Sequence, residues 1–470
     1  MNMRAIRSIT VAVAALVLLA AAPARAIPAF ARKYGTSCQT CHTVYPKLTP
    51  FGEAFRRNGF RFPGSDGDFV KQEKIALGQD AYKDVFPNSV WPGTIPDSIP
   101  IGVGFNGQAV LHPDKNASAA KQDNGSIFTM NDLVAEGHLW AGGSFSERVT
   151  FFGEVTFSSA GTVDVEHAQL HFNDLLGPKH LINVRIGRGF STLTSFGPHG
   201  SYVADAIMPS LALTAMYGST SSSWNLLDHY NGIEVTGVVG GRFDYSIGVN
   251  AGANTDIRPS ENAYAHLGFK LGGMRLDGEG DQAGSDKPWA ENALTVDVFG
   301  YRATSRYVGA DTAPQDDRVW LVGGNLRAQW QSLELNAGFY QEWHDRALIN
   351  DTGDGTIGAV AFAQYDELSY VVFPWLVPAL RFEYLSVRPD GHDEVHDLRL
   401  MPGVAFLIRP NVKFVLVGQI ELANGVSTNQ TPGVPASTFS WAPVGGFAAP
   451  VPGMTVSEIE SITGTVAFAF

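Results

Sequence analysis

The chain has 470 residues, a formal net charge of −13, only 17% charged residues, 51 glycines and two cysteines. An acidic protein is poorly suited to hold nucleic acid, and two cysteines exclude a disulfide-stapled scaffold. Length alone would suggest two or three ordinary domains.

The chain opens with Arg4 and Arg7, an apolar run from Ile9 to Ala22, and Ala24-Arg25-Ala26. This is the pattern of a secretory signal peptide over 1–26, so the exported protein is expected to start at Ile27. The apolar run is too short for a membrane-spanning helix. Its removal takes away three arginines and no acid, which moves the formal charge from −13 to −16.

Both cysteines lie in Cys38-Gln39-Thr40-Cys41-His42. Two thiols two residues apart can reach the two vinyl groups on one edge of a porphyrin, and the next imidazole then falls beneath the iron. Cys38 and Cys41 are the expected thioether anchors of one covalent haem c, and His42 its proximal iron ligand. Other uses of Cys-x-x-Cys fit less well. A zinc site needs four protein ligands and no second cysteine pair exists. A redox dithiol belongs in a βαβ unit, which this region lacks. A plain disulfide in an oxidising compartment is the remaining competitor.

A short helix should follow. Thr49 can cap it, Pro50 suits its first position, and Asn58-Gly59 is a stop signal. Phe51, Phe55 and Phe60 would either cover haem faces or pack on one another. Arg56, Arg57 and Arg61 would either pair with haem propionates or sit solvated at the helix C-terminus. Between Thr43 and Leu111 there is neither Met nor His. The iron is therefore five-coordinate, or its sixth ligand comes from elsewhere in the chain.

From Ile101 onward, segments about ten residues long alternate in polarity, the signature of a transmembrane β-barrel. Strands are expected near 101–112, 133–143, 147–158, 163–174, 180–189, 229–238, 242–252, 263–272, 293–304, 319–330, 332–343, 358–370, 379–387, 395–409, 411–422 and 459–470. Every second connection should be short, and only Gly273 to Asn292 breaks that rule. The others, among them Phe190 to Asp228, read as outward-facing polar loops. Several carry acids: Asp311, Asp316 and Asp317, then Asp351 and Asp354, then Asp390, Asp393 and Glu394. The last strand ends on one face with Ile462, Val466, Phe468 and Phe470, and resembles the C-terminal strand of bacterial outer-membrane proteins. Repeated-sheet folds such as propellers would show fixed-period repeats, which are absent.

Alternation sends Glu136, His138, Glu154, His167, Gln169 and His171 to the lumen. If a protein side chain completes the iron coordination, the candidates are His171, His167 and His138, with His112 and Met130 behind them.

The run Pro28-Ala29-Phe30-Ala31-Arg32, the Cys38–His42 motif, Tyr45-Pro46-Lys47-Leu48, Phe51-Gly52, Phe55 and Gly59-Phe60, followed by a sixteen-stranded barrel, resembles the fused monohaem cytochrome-porins. Outer-membrane Fe(II) oxidases of iron-oxidising bacteria are members. The N-terminal match covers about 35 residues; the barrel resembles the family in length, strand number and ending. The resemblance carries functional residues onto Cys38, Cys41 and His42 only. It implies an all-β fold: a transmembrane antiparallel β-barrel of about sixteen strands over 101–470, plugged by an α-helical c-type cytochrome unit within 27–100. It further implies an outer-membrane electron carrier or Fe(II):cytochrome c oxidoreductase, taking electrons from an extracellular donor such as Fe(II) to a periplasmic cytochrome. The alternative is a diffusion porin with a tethered cytochrome module on its periplasmic side. A peroxidase-like enzyme would need a distal acid–base pair, and no motif supplies one.

Overall fold

The computed structural model describes residues 29–63, 66, 70, 74–76, 81–88, 94–96, 101–111, 128–159, 161–204, 207–209, 212–213, 220–221, 226–252, 262–279, 286–308, 315–349, 356–391, 394–424, 439–440 and 458–469. The expected leader, His112 and the acids Asp311, Asp351, Asp354 and Asp393 lie outside these residues.

Sixteen antiparallel strands close into a ring. They are β1 Ile101–Leu111, β2 Phe128–Ser144, β3 Val149–Ser158, β4 Val163–Phe172, β5 Asn183–Gly189, β6 Tyr230–Val239, β7 Phe243–Asn250 and β8 Ala263–Gly272. The second half comprises β9 Glu291–Val308, β10 Gln315–Gln331, β11 Leu333–Ile349, β12 Thr356–Tyr370, β13 Leu376–Pro389, β14 Val395–Arg409, β15 Val412–Asn424 and β16 Glu458–Ala469. Each pairs with the next, and β16 closes on β1 through Ile462–Leu111 to Ala469–Gly104. Closure satisfies every backbone hydrogen-bonding edge, which a barrel in hydrocarbon requires.

Alternation decides which side chains face out. Along β10, Val322, Leu326 and Ala328 point away from the lumen while Asn325, Arg327 and Gln329 are buried inside. Exposed Trp320 and Trp330 bracket this run. Ten residues at about 3.3 Å each, tilted about 40°, rise about 25 Å, the height of the apolar band of a membrane barrel between its aromatic girdles. Trp343, opposite Trp320 in register, continues one girdle. The fifth and seventh strands separate as expected: Ile186, Phe243 and Ile247 are exposed outside, while Asn183, Asp244, Ser246 and Asn250 are buried inside.

Residues 29–63 sit inside this wall. Helices α1 Ala29–Tyr34, α2 Cys38–Cys41 and α3 Pro50–Arg57 are joined by a two-strand ribbon, His42–Val44 with Lys47–Leu48. Thr49 caps α3, its hydroxyl accepting the Gly52 N–H at 3.1 Å, and Pro50 occupies the first turn. Gly59 takes a φ of +67° just past the helix end, the left-handed conformation that glycine adopts without Cβ strain.

Charged side chains hold this plug to the barrel. Arg57 pairs with Asp244 of β7 at 3.3 Å and donates to the Leu276 carbonyl at 2.8 Å and to the Ser195 carbonyl. Arg61 pairs with Asp174 at 2.9 Å and donates to the Glu147 carbonyl at 2.8 Å. Lys47 is buried against Glu334 of β11 and the Gly200 carbonyl. Glu53 accepts the Gly197 N–H at 2.9 Å. Arg57 and Arg61 are thus wall clamps rather than solvated side chains, and Arg56 lies 3.4 Å from Glu53 within its own helix.

Two expectations need correction. The connection after β5 is not an outward loop: Leu193, Phe196, Ile207, Met208 and Leu226 are buried in one cluster with Tyr264, Tyr301, Tyr340 and Tyr365 of the inner wall. Tyr340 donates to the Pro209 carbonyl at 2.6 Å and Arg381 to the Ile207 carbonyl at 2.8 Å, so wall side chains supply partners for a backbone inside the lumen. Asp316 and Asp317 belong to β10 rather than to a loop, and Asp317 pairs with His344 at 2.7 Å. The connection after β8 is long, as the sequence indicated. In its described part Met274, Leu276 and Asp277 are buried, and its backbone receives Arg57 and Asn58 of the plug.

Candidate functional site

The Cys38–Cys41 turn is stitched to the start of α3. Thr49 N–H donates to the Cys41 carbonyl at 2.9 Å, and the Thr49 hydroxyl to the Thr40 carbonyl at 3.0 Å. The close approach requires Gly52, because a Cβ there would collide with the Cys41 carbonyl. Both cysteines line one cavity with His42. Burial, reinforced by the neighbouring Cys38, pushes the Cys41 thiol up to about 12.

His42 Nδ1 lies 3.0 Å from the Pro46 carbonyl. A carbonyl can only accept, so Nδ1 carries the proton and Nε2 keeps its lone pair. Burial, only partly opposed by that hydrogen bond, pushes the imidazole down to about 4, so it is neutral at neutral pH. A neutral imidazole oriented through its other nitrogen is the usual form of a metal-binding histidine.

The cavity holds about 960 Å³ between plug and wall. Phe30, Phe55 and Phe60 form its plug side. Phe30 stacks on Phe60 at 5.3 Å, and Phe60 stacks on Phe152 of β3 at 4.8 Å. Phe51 turns away and packs edge-on against Phe62 at 5.0 Å. Volume, aromatic lining, two thiols on one short helix and one oriented imidazole together meet the needs of a covalently held haem.

The barrel wall opposite is rich in histidine. Glu154 Oε1 meets His138 Nδ1 and Glu154 Oε2 meets His167 Nδ1, both at 3.1 Å, and Trp140 donates to Glu154 at 2.7 Å. His171 differs: its Nε2 is buried in the same cavity and has no hydrogen-bond partner among the described residues, with Phe60 edge-on at 5.4 Å. All three expected lumen histidines therefore share the cavity of Cys38 and His42. Met130 lies in β2, and its side chain is outside the described set.

Sequence reasoning missed four residues here. Glu166 enters through a bulge, where register slips between Glu154–His167 and Val155–Val165. Val163 and Val165 point outward while Glu166 and His167 both line the cavity. His199, Met208 and His229 arrive on the inward-folded connection. The apolar Leu193, Phe196, Ile207 and Met208 within that supposedly polar loop were the available signal.

No family model matches the chain, and no curated protein matches it. Among solved structures, it is similar to OmpT, an outer-membrane protein of Vibrio cholerae, at 11% identity and a TM-score of 0.47, covering 79% of this chain and 99% of that one. An anion-selective porin from Comamonas acidovorans aligns at 11% identity and a TM-score of 0.48, again over 79% and 99%. The DcaP channel of Acinetobacter baumannii aligns at 10% identity and a TM-score of 0.43, over 79% and 97%.

Proposed function

We propose that the protein is an outer-membrane electron-transfer protein in which Cys38, Cys41 and His42 hold one haem c inside the barrel lumen. The observation that carries this reading is that all three line a single cavity between plug and wall, with His42 already oriented by Pro46. Bound haem c supplies a one-electron Fe(III)/Fe(II) couple. The chain's own part would be to shield it with Phe30, Phe55 and Phe60 and to fix the plug through Arg57, Arg61 and Lys47. His171, whose Nε2 has no hydrogen-bond partner among the described residues, would be the side chain best suited to supply a second iron ligand.

Orientation follows from the connections: the plug and the short turns occupy the periplasmic end, and the long loops face outward. Residues 27–100 form the cytochrome unit and linker, and 101–470 the barrel, embedded in outer-membrane lipid. The electron donor is extracellular, most simply Fe(II), and a soluble periplasmic cytochrome is the acceptor. A lumen this polar, lined by Arg185, Glu234 and Asp244, favours as second reading a diffusion porin whose cytochrome serves only the periplasm.

One experiment separates them. The purified protein is placed in liposomes with Fe(II) outside and a soluble cytochrome trapped inside. Reduction of the trapped acceptor, abolished by His42→Ala, supports the conduit. Sugar flux into the liposomes without acceptor reduction establishes the porin.

A further inference from the structure

Glu166, His167 and His229 each offer one donor atom, all within 4.8 Å of one another, and all three line the cavity that holds His42. Donors held at about 2.1 Å from one ion at tetrahedral angles lie about 3.4 Å apart, so side-chain rotations of up to about 1.4 Å complete the set. Among the described residues neither histidine is committed elsewhere through both nitrogens: His229 Nε2 is buried with no hydrogen-bond partner there, and the two rings stand 4.7 Å apart at 81°. His167 is oriented by Glu154 at Nδ1, the carboxylate–histidine arrangement that surrounds metal sites and leaves Nε2 for the ion.

The bulge in β4 is what makes this cluster. In a regular strand Glu166 would point into lipid, where a carboxylate is costly; the slipped register turns it inward beside His167. The donors also come from separate elements, β4 and the connection leading into β6, so the cluster exists only in the folded barrel.

We propose that Glu166, His167 and His229 bind a divalent first-row transition-metal cation in the lumen. Two imidazoles and one carboxylate suit such ions better than Ca²⁺ or Mg²⁺, which prefer oxygen alone. The inference deepens the electron-transfer reading, on which its functional meaning rests, by placing a metal donor in the same cavity as the haem-binding residues. The binding claim itself stands on the cluster alone.

The test uses the full-length haem-loaded protein in detergent and Mn(II), a redox-quiet probe whose free aqueous electron-spin resonance signal disappears on binding. Wild type should remove Mn(II) from solution, and Zn(II) should compete for the same site. His229→Ala and Glu166→Gln should each weaken binding more than tenfold, and Glu154→Gln about 10–100-fold by releasing His167. Glu147→Gln, in the turn at the other end of the barrel, should change nothing. Unchanged heat-modifiable gel mobility and haem absorbance show that each variant is folded. Wild-type affinity in both His229→Ala and Glu166→Gln, or no Mn(II) binding by wild type, would overturn the site. Failure of acceptor reduction in liposomes with Mn(II) binding intact would overturn the electron-transfer reading and leave the cation site standing.

Discussion

Gly52 is where the Cys38–His42 motif and the plug helix touch, so Gly52→Ala probes how the candidate site is held. An added methyl would lie 2.9 Å from the Cys41 carbonyl carbon, 3.1 Å from its Cα and closer still to its oxygen. The obstacle is backbone, and Thr49 N–H already pins it at 2.9 Å, so it cannot rotate aside as a flexible side chain would. Overpacking of this kind costs about 1–3 kcal/mol, and alanine returns up to about 1 kcal/mol of helix propensity. The expected net loss is about 1 kcal/mol, a roughly fivefold shift toward an opened α2–α3 contact. Hydrogen exchange of the α3 amides should lose protection by that factor, and the ratio of covalent haem to polypeptide should fall. Gly197→Ala is the control: its nearest foreign atom, Arg56 Nε, is 3.5 Å away, so the change should stay within about 0.5 kcal/mol. Equal protection and equal haem content in the two variants would refute the packing argument.

Two further outcomes follow from the wall. Burial works against the Asp174 carboxylate, but the His180 N–H at 2.7 Å and Arg61 at 2.9 Å outweigh it and hold the acid below its ordinary value. The undocked state then takes up the proton first as pH falls, so the clamp contributes fully above about pH 4 and is lost as pH drops through the lower native value. Plug protection should therefore weaken on acidification, and Asp174→Asn should remove that part of the acid sensitivity; an unchanged acid profile in the variant would exclude this clamp. On the outer face, Leu267 in the middle of β8 is 62% exposed. Leu267→Arg should cost about 2–4 kcal/mol in urea unfolding from bilayers if that face meets hydrocarbon, and no cost would mean that it does not.

The barrel was legible because its physics is local. In β7, Phe243, Tyr245, Ile247 and Val249 alternate with Asp244, Ser246 and Asn250, and one lipid face with one wet face leaves only one register. All sixteen strands form where that alternation places them, the largest differences being extensions of the second to Phe128 and the eleventh to Ile349. Extensions past the apolar band are invisible to such a pattern, since beyond lipid both faces are polar. The inward course of the connection after β5 was not legible either. Its backbone partners, Tyr340 and Arg381, lie more than a hundred residues downstream, and no local period encodes them.

The site divides along the same line. Cys38, Cys41 and His42 fall within five residues, so the sequence alone places them together, and the Thr49 cap that braces them was legible too. Strict alternation also sent His138, His167 and His171 to the correct face, and the structure brings all three to one cavity. It fails at Glu166, where a single extra residue opposite Glu154 reverses the parity of everything before it. A bulge costs ladder hydrogen bonds and is kept where it re-aims a side chain. Here it moves an acid out of the lipid face and beside an imidazole. The clue was present in Val163-Asp164-Val165: an alternation whose apolar set sits in the opposite phase to Ala168, Leu170 and Phe172 can be joined to them only by a one-residue slip. That slip converts a lumen wall of two hydrogen-bonded histidines into one that also carries a carboxylate with a second imidazole, His229, within reach.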